Sequence, residues 1–381
     1  MSKETIVEIK GIGFPNKGAE LMLSAIISEF DKRGVKAKFA IEPYGDYRLR
    51  SKYALYQKAR VYKSGIDFGA VIGLLPNQLL NVFGIIKAKD IDVVLDASGF
   101  SYGDQWGPDL AQNRLGSTIE KLRKNNKKII LMPQALGPFE NQPTRKVAKR
   151  ILDSANLVFA RDDISFQYAR DVSPQGNIFQ SHDFTNLAKG YEFDGFDADL
   201  HKVCFIPNSK MIEKTSSGDE YVDSMVTLIN LALEKEAKPF LLIHEGQADR
   251  KLAELINTKI SKKIPILEPV DPLKIKWVIG KSEIVISSRF HGLVSALCQG
   301  VPVLATGWSH KYKCLLEEYG SADSLFDVKS DMDRAKSRLV TLIDDKDFRA
   351  LESKNLTERS TELKKQVNKM WDKIFSLINN I

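Results

Sequence analysis

A chain of 381 residues, 43% hydrophobic and 28% charged, exceeds one ordinary core. It has the composition of a folded two-domain protein with a cleft, and it excludes a disordered or repeat chain. A formal charge of +7 favours anionic company, yet the basic run KLRKNNKK (121–128) reads as the solvated end of a helix. No helix-turn-helix, zinc-finger or RNA-binding signature accompanies it, so no nucleic acid partner is expected. Cys204, Cys298 and Cys314 are widely spaced and odd in number, as buried thiols in a reducing compartment are, and MSKETIVEIKG has no signal-peptide core; a cytoplasmic protein is expected.

Along the chain, short β-branched runs recur between helical patterns: TIVEIK at 5, KAKFAI at 36, IDVVLD at 91, KIILM at 128 and NLVFA at 156. That rhythm predicts a parallel sheet with crossover helices, whose ligands sit beyond the carboxyl ends of the strands. The first strand-to-helix loop, KGIGFPNKGAELMLSAIISEF (10–30), carries Gly11, Gly13 and Gly18, which suit a tight turn, close ligand approach, or both. Its spacing is not GxGxxG, so Glu42 after the second strand is a poor match to the acidic ribose binder of a dinucleotide fold. FGAVIGLLPNQLLNVFGII (68–86) has 19 residues without a charge but is interrupted by Pro76, Asn77, Gln78 and Asn81. It reads either as helices packed in a core or as a helical surface in peripheral contact with lipid or a lipid-linked substrate.

In LDASGFSYGDQWGPDLA (95–111) small residues surround Asp104 and Trp106, which suit either sugar contact or capping and packing. LMPQALGPFE (131–140) places Gln134 and Gly137 in a proline-bounded loop, and VFARDDISFQYARD (158–171) sets Arg161 and Asp162 where a strand meets a helix capped by Asp163, Ser165 or both. After a polar stretch the rhythm restarts with VCFI at 203, PFLLI at 239, PILE at 265, EIVIS at 283 and VPVLAT at 301. SSRFHGLVSALCQG then puts Arg289 and His291 at a helix amino end, where an arginine is unfavourable unless an anion binds. The alternatives are a salt bridge from Arg289 to the other domain and a structural hydrogen bond for His291; beside Arg289, an acid-base role is favoured for His291. Lys311 and His310 approach the same space, and the last stretch, from DFRALESK to IFSLI, reads as amphipathic helix. The five histidines are scattered without ligand spacing, so no metal is expected.

Two Rossmann-like doubly wound α/β domains in tandem, with a C-terminal helix returning toward the first, describe a glycosyltransferase-B-like architecture. Residues 1–195 form the first domain, 196–350 the second and 351–381 the helix. In order and spacing the loops resemble the polysaccharide pyruvyl transferase family. An N-x-G-(D/A) loop is matched by Asn16, Lys17, Gly18 and Ala19; (P/G)-Q-x-x-G-P by Pro133, Gln134, Gly137 and Pro138; R-D-x-x-S by Arg161, Asp162 and Ser165. Asp183 stands where the family has an aspartate near the domain crossing, and R-(L/F)-H is matched by Arg289, Phe290 and His291, followed by GVPV and Lys311. Two departures are DASGFSYG in place of a glycine run after the third strand, and IPNSK where the family has an arginine, leaving Lys210 or Asn208 as substitutes.

The resemblance implies transfer of the carboxyvinyl unit of phosphoenolpyruvate to sugar hydroxyls of a cell-surface polysaccharide or its lipid-linked precursor, giving a pyruvate ketal. It also implies an acceptor side in the first domain, a donor side in the second, and no cofactor beyond that co-substrate. Arg289 and His291 are the expected catalytic pair, with Asn16, Gly18, Asp104, Gln134, Asp183, Lys210 and Lys311 binding substrate. The competing readings are a nucleotide-sugar glycosyltransferase of the same fold and a non-catalytic carbohydrate- or phosphate-binding protein.

Overall fold

The computed structural model describes residues 4–14, 16–43, 47–60, 62–63, 66–67, 72, 74–214, 218–307 and 309–379. The chain divides into two compact units. Residues 1–14, 22–184 and 366–381 form the first, and 15–21 with 185–365 form the second.

The first unit holds a sheet of β1 (Thr5–Lys10), β2 (Ala37–Ile41), β3 (Tyr56–Lys58), β4 (Ile85–Ile86), β5 (Val93–Asp96), β6 (Lys128–Gln134), β7 (Leu157–Ala160) and β8 (Ile178–Gln180). Its order is β8-β7-β6-β5-β1-β2-β3-β4, every pairing parallel. The five β-branched runs legible in the sequence are all strands. β3, β4 and β8 are additions: each is only two or three residues long, too short for a periodic signal. A sheet covered on both faces needs apolar residues on both sides of each strand, and β5 and β7 are buried almost end to end. Ile129, Leu131 and Val158 pack with Leu115, Ile151 and Ala169 of the crossover helices. The reversal of strand order lies between β5 and β1, the position where an open sheet offers a crevice.

The second unit repeats the plan with β9 (Val203–Ile206), β10 (Pro239–Leu242), β11 (Ile266–Leu267), β12 (Ile284–Ser287) and β13 (Val303–Ala305). They are ordered β11-β10-β9-β12-β13 and are parallel throughout.

Two helices are shared by the units. The helix Lys17–Lys32 starts where Asn16 Oδ1 accepts from Ala19 N at 2.9 Å, with Glu20 in its first turn and Lys32 in its last matching the helix dipole. Its first residues, to 21, group with the second unit and the rest with the first. The C-terminal helix Lys346–Ile378 is divided between the units, where the sequence reading set 351–381 apart. Leu356 and Leu363 lie in the core of the second unit, whereas Trp371 meets Phe184, and Phe375 meets Phe30, in the first. Its expected apolar stripe begins at Leu356, because Leu351 is exposed. No helix among the described residues is long and apolar enough to cross a membrane.

Candidate active site

In the second unit β12 ends in a turn clamped from several sides. Arg289 N donates to Ser287 Oγ at 3.0 Å, and the Ser288 carbonyl accepts from Asn208 Nδ2 at 2.7 Å and Tyr312 Oη at 3.0 Å. Ser288 Oγ lies 2.5 Å from Tyr221 Oη, whose ionisation is suppressed by complete burial. Arg289 thereby becomes the residue that precedes the helix Phe290–Leu297, in extended conformation, and His291 sits in its first turn. Gly292 is required here, since a Cβ would come within 2.9 Å of Ser287 Oγ.

The Arg289 guanidinium is not open to solvent. Nη1 bonds Glu245 and Nη2 bonds Asp249, both following β10 in the same unit, while Nε makes no hydrogen bond among the described residues. The anion that the sequence called for at this helix end is therefore supplied first by the protein's own carboxylates, in a salt bridge within the second unit where the expected alternative was one to the other domain. Burial pushes the Glu245 carboxyl upward, Arg289 pulls it down, Asp249 reinforces the rise, and the net result is upward.

His244, which sequence reasoning did not single out, ends the same strand crossing as Glu245. It is buried, its Nδ1 has no hydrogen-bond partner among the described residues, and its protonation is held well below the usual imidazole range. Burial is the main cause, followed by the neighbouring charges of Arg289, His291 and Lys17. His291 packs on the start of the first helix so closely that a Cβ on Gly18 would lie 2.4 Å from His291 Nδ1. Gly18 is therefore a space-maker for the imidazole. Lys17 pairs with Glu20 at 2.5 Å, and Lys311 holds its ammonium 5.1 Å from the Phe290 ring centroid. Lys17, His244, Arg289 and His291 thus converge at the carboxyl edge of the second sheet, a cluster of basic side chains answered by Glu20, Glu245 and Asp249 and containing one neutral imidazole.

Two further expected residues of this unit play other parts. Asn16 is spent as a helix cap, and Lys210 is exposed and paired with Glu213 at 2.5 Å. Asn208, the other substitute for the family arginine, is consumed by Ser288, by Lys210 N and by Tyr221 Oη.

In the first unit a cavity of about 580 Å³ opens at the carboxyl ends of β1 and β2, lined by Lys10, Gly11, Glu42, Arg60, Asn113 and Arg114 among others. Lys10 Nζ lies 2.8 Å from Glu42 and 3.1 Å from Glu8, Lys58 Nζ lies 2.8 Å from Glu8, and Arg60 lies 3.2 Å from Glu42. Burial alone would raise the Glu42 carboxyl, but Lys10, Lys58 and Arg60 bring it down to about 2. Glu42 is thus the hub of an ion cluster. Gly11 has φ +81° and a Cβ there would strike Ser98 at 2.4 Å, so the turn demands glycine.

The remaining expected residues also belong to the first unit. Asp104 Oδ2 accepts from Glu140 N at 2.7 Å and Asn141 N at 3.2 Å, so it organises a loop. Gln134 and Asp183 are brought to one place: Arg161 N donates to the Gln134 carbonyl at 3.0 Å, and Arg161 Nη1 lies 3.5 Å from Asp183. The Gln134 amide is buried and neither end has a hydrogen-bond partner among the described residues. The following helix is capped by Asp162, not by Asp163 or Ser165, through a 2.7 Å bond from Ser165 N. That leaves Ser165 Oγ to accept from Leu136 N at 2.9 Å, tying the RDxxS element to the QxxGP loop. Among the described residues no group of His, Cys, Asp and Glu could hold a metal ion.

Comparison with solved structures shows the fold. S. aureus MnaA bound to UDP aligns with TM-score 0.61 at 13% identity, covering 100% of this chain and 98% of that one. Anabaena HepE in complex with UDP and glucose gives 0.59 at 12%, covering 100% of both chains. The Neisseria meningitidis UDP-GlcNAc 2-epimerase bound to UDP-GlcNAc gives 0.57 at 14%, covering 96% and 100%. With two parallel sheets, these likenesses establish the glycosyltransferase-B architecture of two Rossmann-like domains. No curated protein matches the sequence. The family model for polysaccharide pyruvyl transferase matches residues 16–310, a stretch that opens at the Asn16 cap and closes at His310, beyond the Arg289–His291 helix. The chain belongs to the polysaccharide pyruvyl transferase family, enzymes of pyruvyl transfer onto polysaccharide.

Proposed function

We propose that this enzyme takes its pyruvyl unit from phosphoenolpyruvate and delivers it to two hydroxyls of one sugar in a cell-surface polysaccharide or its lipid-linked precursor, forming a cyclic ketal. The observation that carries this reading is the convergence of Lys17, His244, Arg289 and His291. Such a cluster suits a compact donor bearing both phosphate and carboxylate. The phosphate and carboxylate are anions for Lys17 and the Arg289 Nε–H, while His291, half-buried, moves the proton.

The methylene carbon of the donor takes up a proton as a sugar hydroxyl oxygen bonds to the central carbon and loses its own. The bond from that carbon to the phosphate oxygen then breaks, a second hydroxyl oxygen bonds in its place, and its proton leaves with the phosphate. His291 is the group assigned to the proton at carbon, a role worth about 100- to 10,000-fold. His244, neutral and buried, accepts or donates one hydrogen bond without adding charge. Sugar binding is assigned to the first unit, at the cavity beside Lys10 and Arg114. Three free, buried thiols fit action in the cytoplasm.

Mass spectrometry of an acceptor glycan incubated with phosphoenolpyruvate tests for the added pyruvyl unit, and proton NMR then separates the ketal, which carries a methyl group, from its isomer the open enol ether, which keeps vinyl protons. The second reading, a nucleotide-sugar glycosyltransferase, draws on the UDP in the MnaA and HepE structures. Release of a nucleoside diphosphate without turnover of phosphoenolpyruvate would decide for it.

A further inference from the structure

Around the short helix Asn77–Val82 of the first unit, apolar side chains face outward. Leu74 is 84% exposed, Val82 81%, Phe83 66%, Leu79 47% and Leu75 43%. Leu79 and Val82 stand three apart within the helix, Leu75 and Phe83 flank its two ends, and Leu80 is buried. Scattered exposed leucines are ordinary; five large apolar residues on one short segment are not. Of the charge-free stretch 68–86, residues 68–71 and 73 lie outside the described residues, so the core and lipid readings are decided here on 74–83 alone.

A basic fringe lies beside this face. Asn77 Nδ2 donates to Asp90 at 3.2 Å, fixing the start of the helix against the turn Ala88–Asp90. Lys127 Nζ donates to the Lys89 carbonyl at 2.7 Å, which brings the end of the helix Ile119–Lys124 to the same turn. Lys89, Lys121, Arg123 and Lys124 are exposed, and no carboxylate interrupts 68–89 or 121–128. A second copy of the chain on this face would set like charges against each other. Apolar side chains rimmed by lysine and arginine complement an anionic bilayer, which receives the apolar groups below its headgroups and the cations among them.

We propose that the face formed by Leu74, Leu75, Leu79, Val82 and Phe83, with the fringe of Lys89, Lys124 and Lys127, docks the enzyme on an anionic lipid surface. The contact is peripheral, and it stands independently of which donor the enzyme uses.

Flotation of the whole protein with vesicles of phosphatidylglycerol and phosphatidylcholine, and with phosphatidylcholine alone, tests it. Wild type should float with the anionic vesicles, at least tenfold less with the neutral ones, and less as salt is raised. Val82→Ser with Phe83→Ser should lower the bound fraction at least tenfold while the melting temperature holds. Lys89→Glu with Lys127→Glu should do the same should the serine pair fold poorly. Wild type that stays at the bottom of the gradient overturns the proposal, as do variants that float like wild type. So does concentration-dependent dimerisation abolished by Phe83→Ser, which would make the face a contact between copies.

Discussion

The polar clusters at the carboxyl edges of the two sheets use similar residues to opposite effect. In the first unit Lys10, Lys58 and Arg60 are answered by Glu8 and Glu42 at 2.8 to 3.5 Å, and the outcome is a carboxylate driven strongly toward its ionised form. In the second, the carboxylates Glu245 and Asp249 are both committed to Arg289, and His244 is driven neutral by burial first and by the charges of Arg289, His291 and Lys17 second. The difference lies in what surrounds the titrating group: cations within ion-pair distance of Glu42, and burial without a hydrogen-bond partner for His244 Nδ1 among the described residues. The first cluster, its carboxylates held ionised by cations on several sides, braces a loop and shapes a cavity, whereas the second keeps a buried neutral imidazole beside an arginine and a second histidine, as a site for proton transfer would.

The sharpest way to break this contrast is at His291. His291→Gln should lower turnover by about 100- to 10,000-fold with donor affinity little changed, read by single-turnover kinetics at saturating phosphoenolpyruvate. An unchanged rate would return His291 to a positioning role. Next in size is Gly18→Ala, whose methyl group falls 2.4 Å from His291 Nδ1 and must displace the ring. About a hundredfold loss of turnover is expected, with the melting temperature nearly constant. If stability falls and turnover does not, the ring is not where the proton moves.

Arg289→Ala tests the other side of the cluster. With both carboxylates paired to it, the change leaves Asp249 buried without its cation and should cost about 3–5 kcal/mol of stability in denaturant unfolding. Arg289→Ala combined with Asp249→Asn should recover much of that loss, and failure to recover would show that the pair is not the source.

The smallest effect is in pH. His244 is held well below its ordinary 6.5, so the unfolded chain gains a proton as pH falls through 6.5 while the folded chain does not. Its contribution is present above pH 6.5 and declines below it, by up to about 1.4 kcal/mol per pH unit. Glu42 acts in a separate window: its contribution is intact above 4.5 and is lost as pH falls from there toward 2. Melting curves of wild type, His244→Gln and Glu42→Gln across both windows separate the two units. His244→Gln should flatten the upper slope alone, and a mutant that retains it would place the titration elsewhere.

Much of this was written locally in the chain. The β-branched runs named both sheets, because a strand covered on two faces must be apolar nearly throughout, and the order of the loops from Asn16 to Lys311 carried the family. The leucines at 74, 75 and 79 and the basic run at 121–128 were visible too, though only the folded chain shows that one side faces outward and that Lys127 reaches Lys89. Hidden from the sequence were the partners. His244 in LLIHEGQADR is an ordinary strand end until the sheet sets it beside Arg289 and His291 and folding excludes water around it. Arg289 looked open because Glu245 and Asp249 lie about 40 residues away on another crossover, and Gly18 looked like a turn glycine because its need for space comes from a ring some 270 positions later. Element type follows from side-chain periodicity over a few neighbours, so the sequence determined it alone. The ionisation and pairing of site groups depend on distances and burial between residues far apart in the chain, and only the tertiary structure decided them.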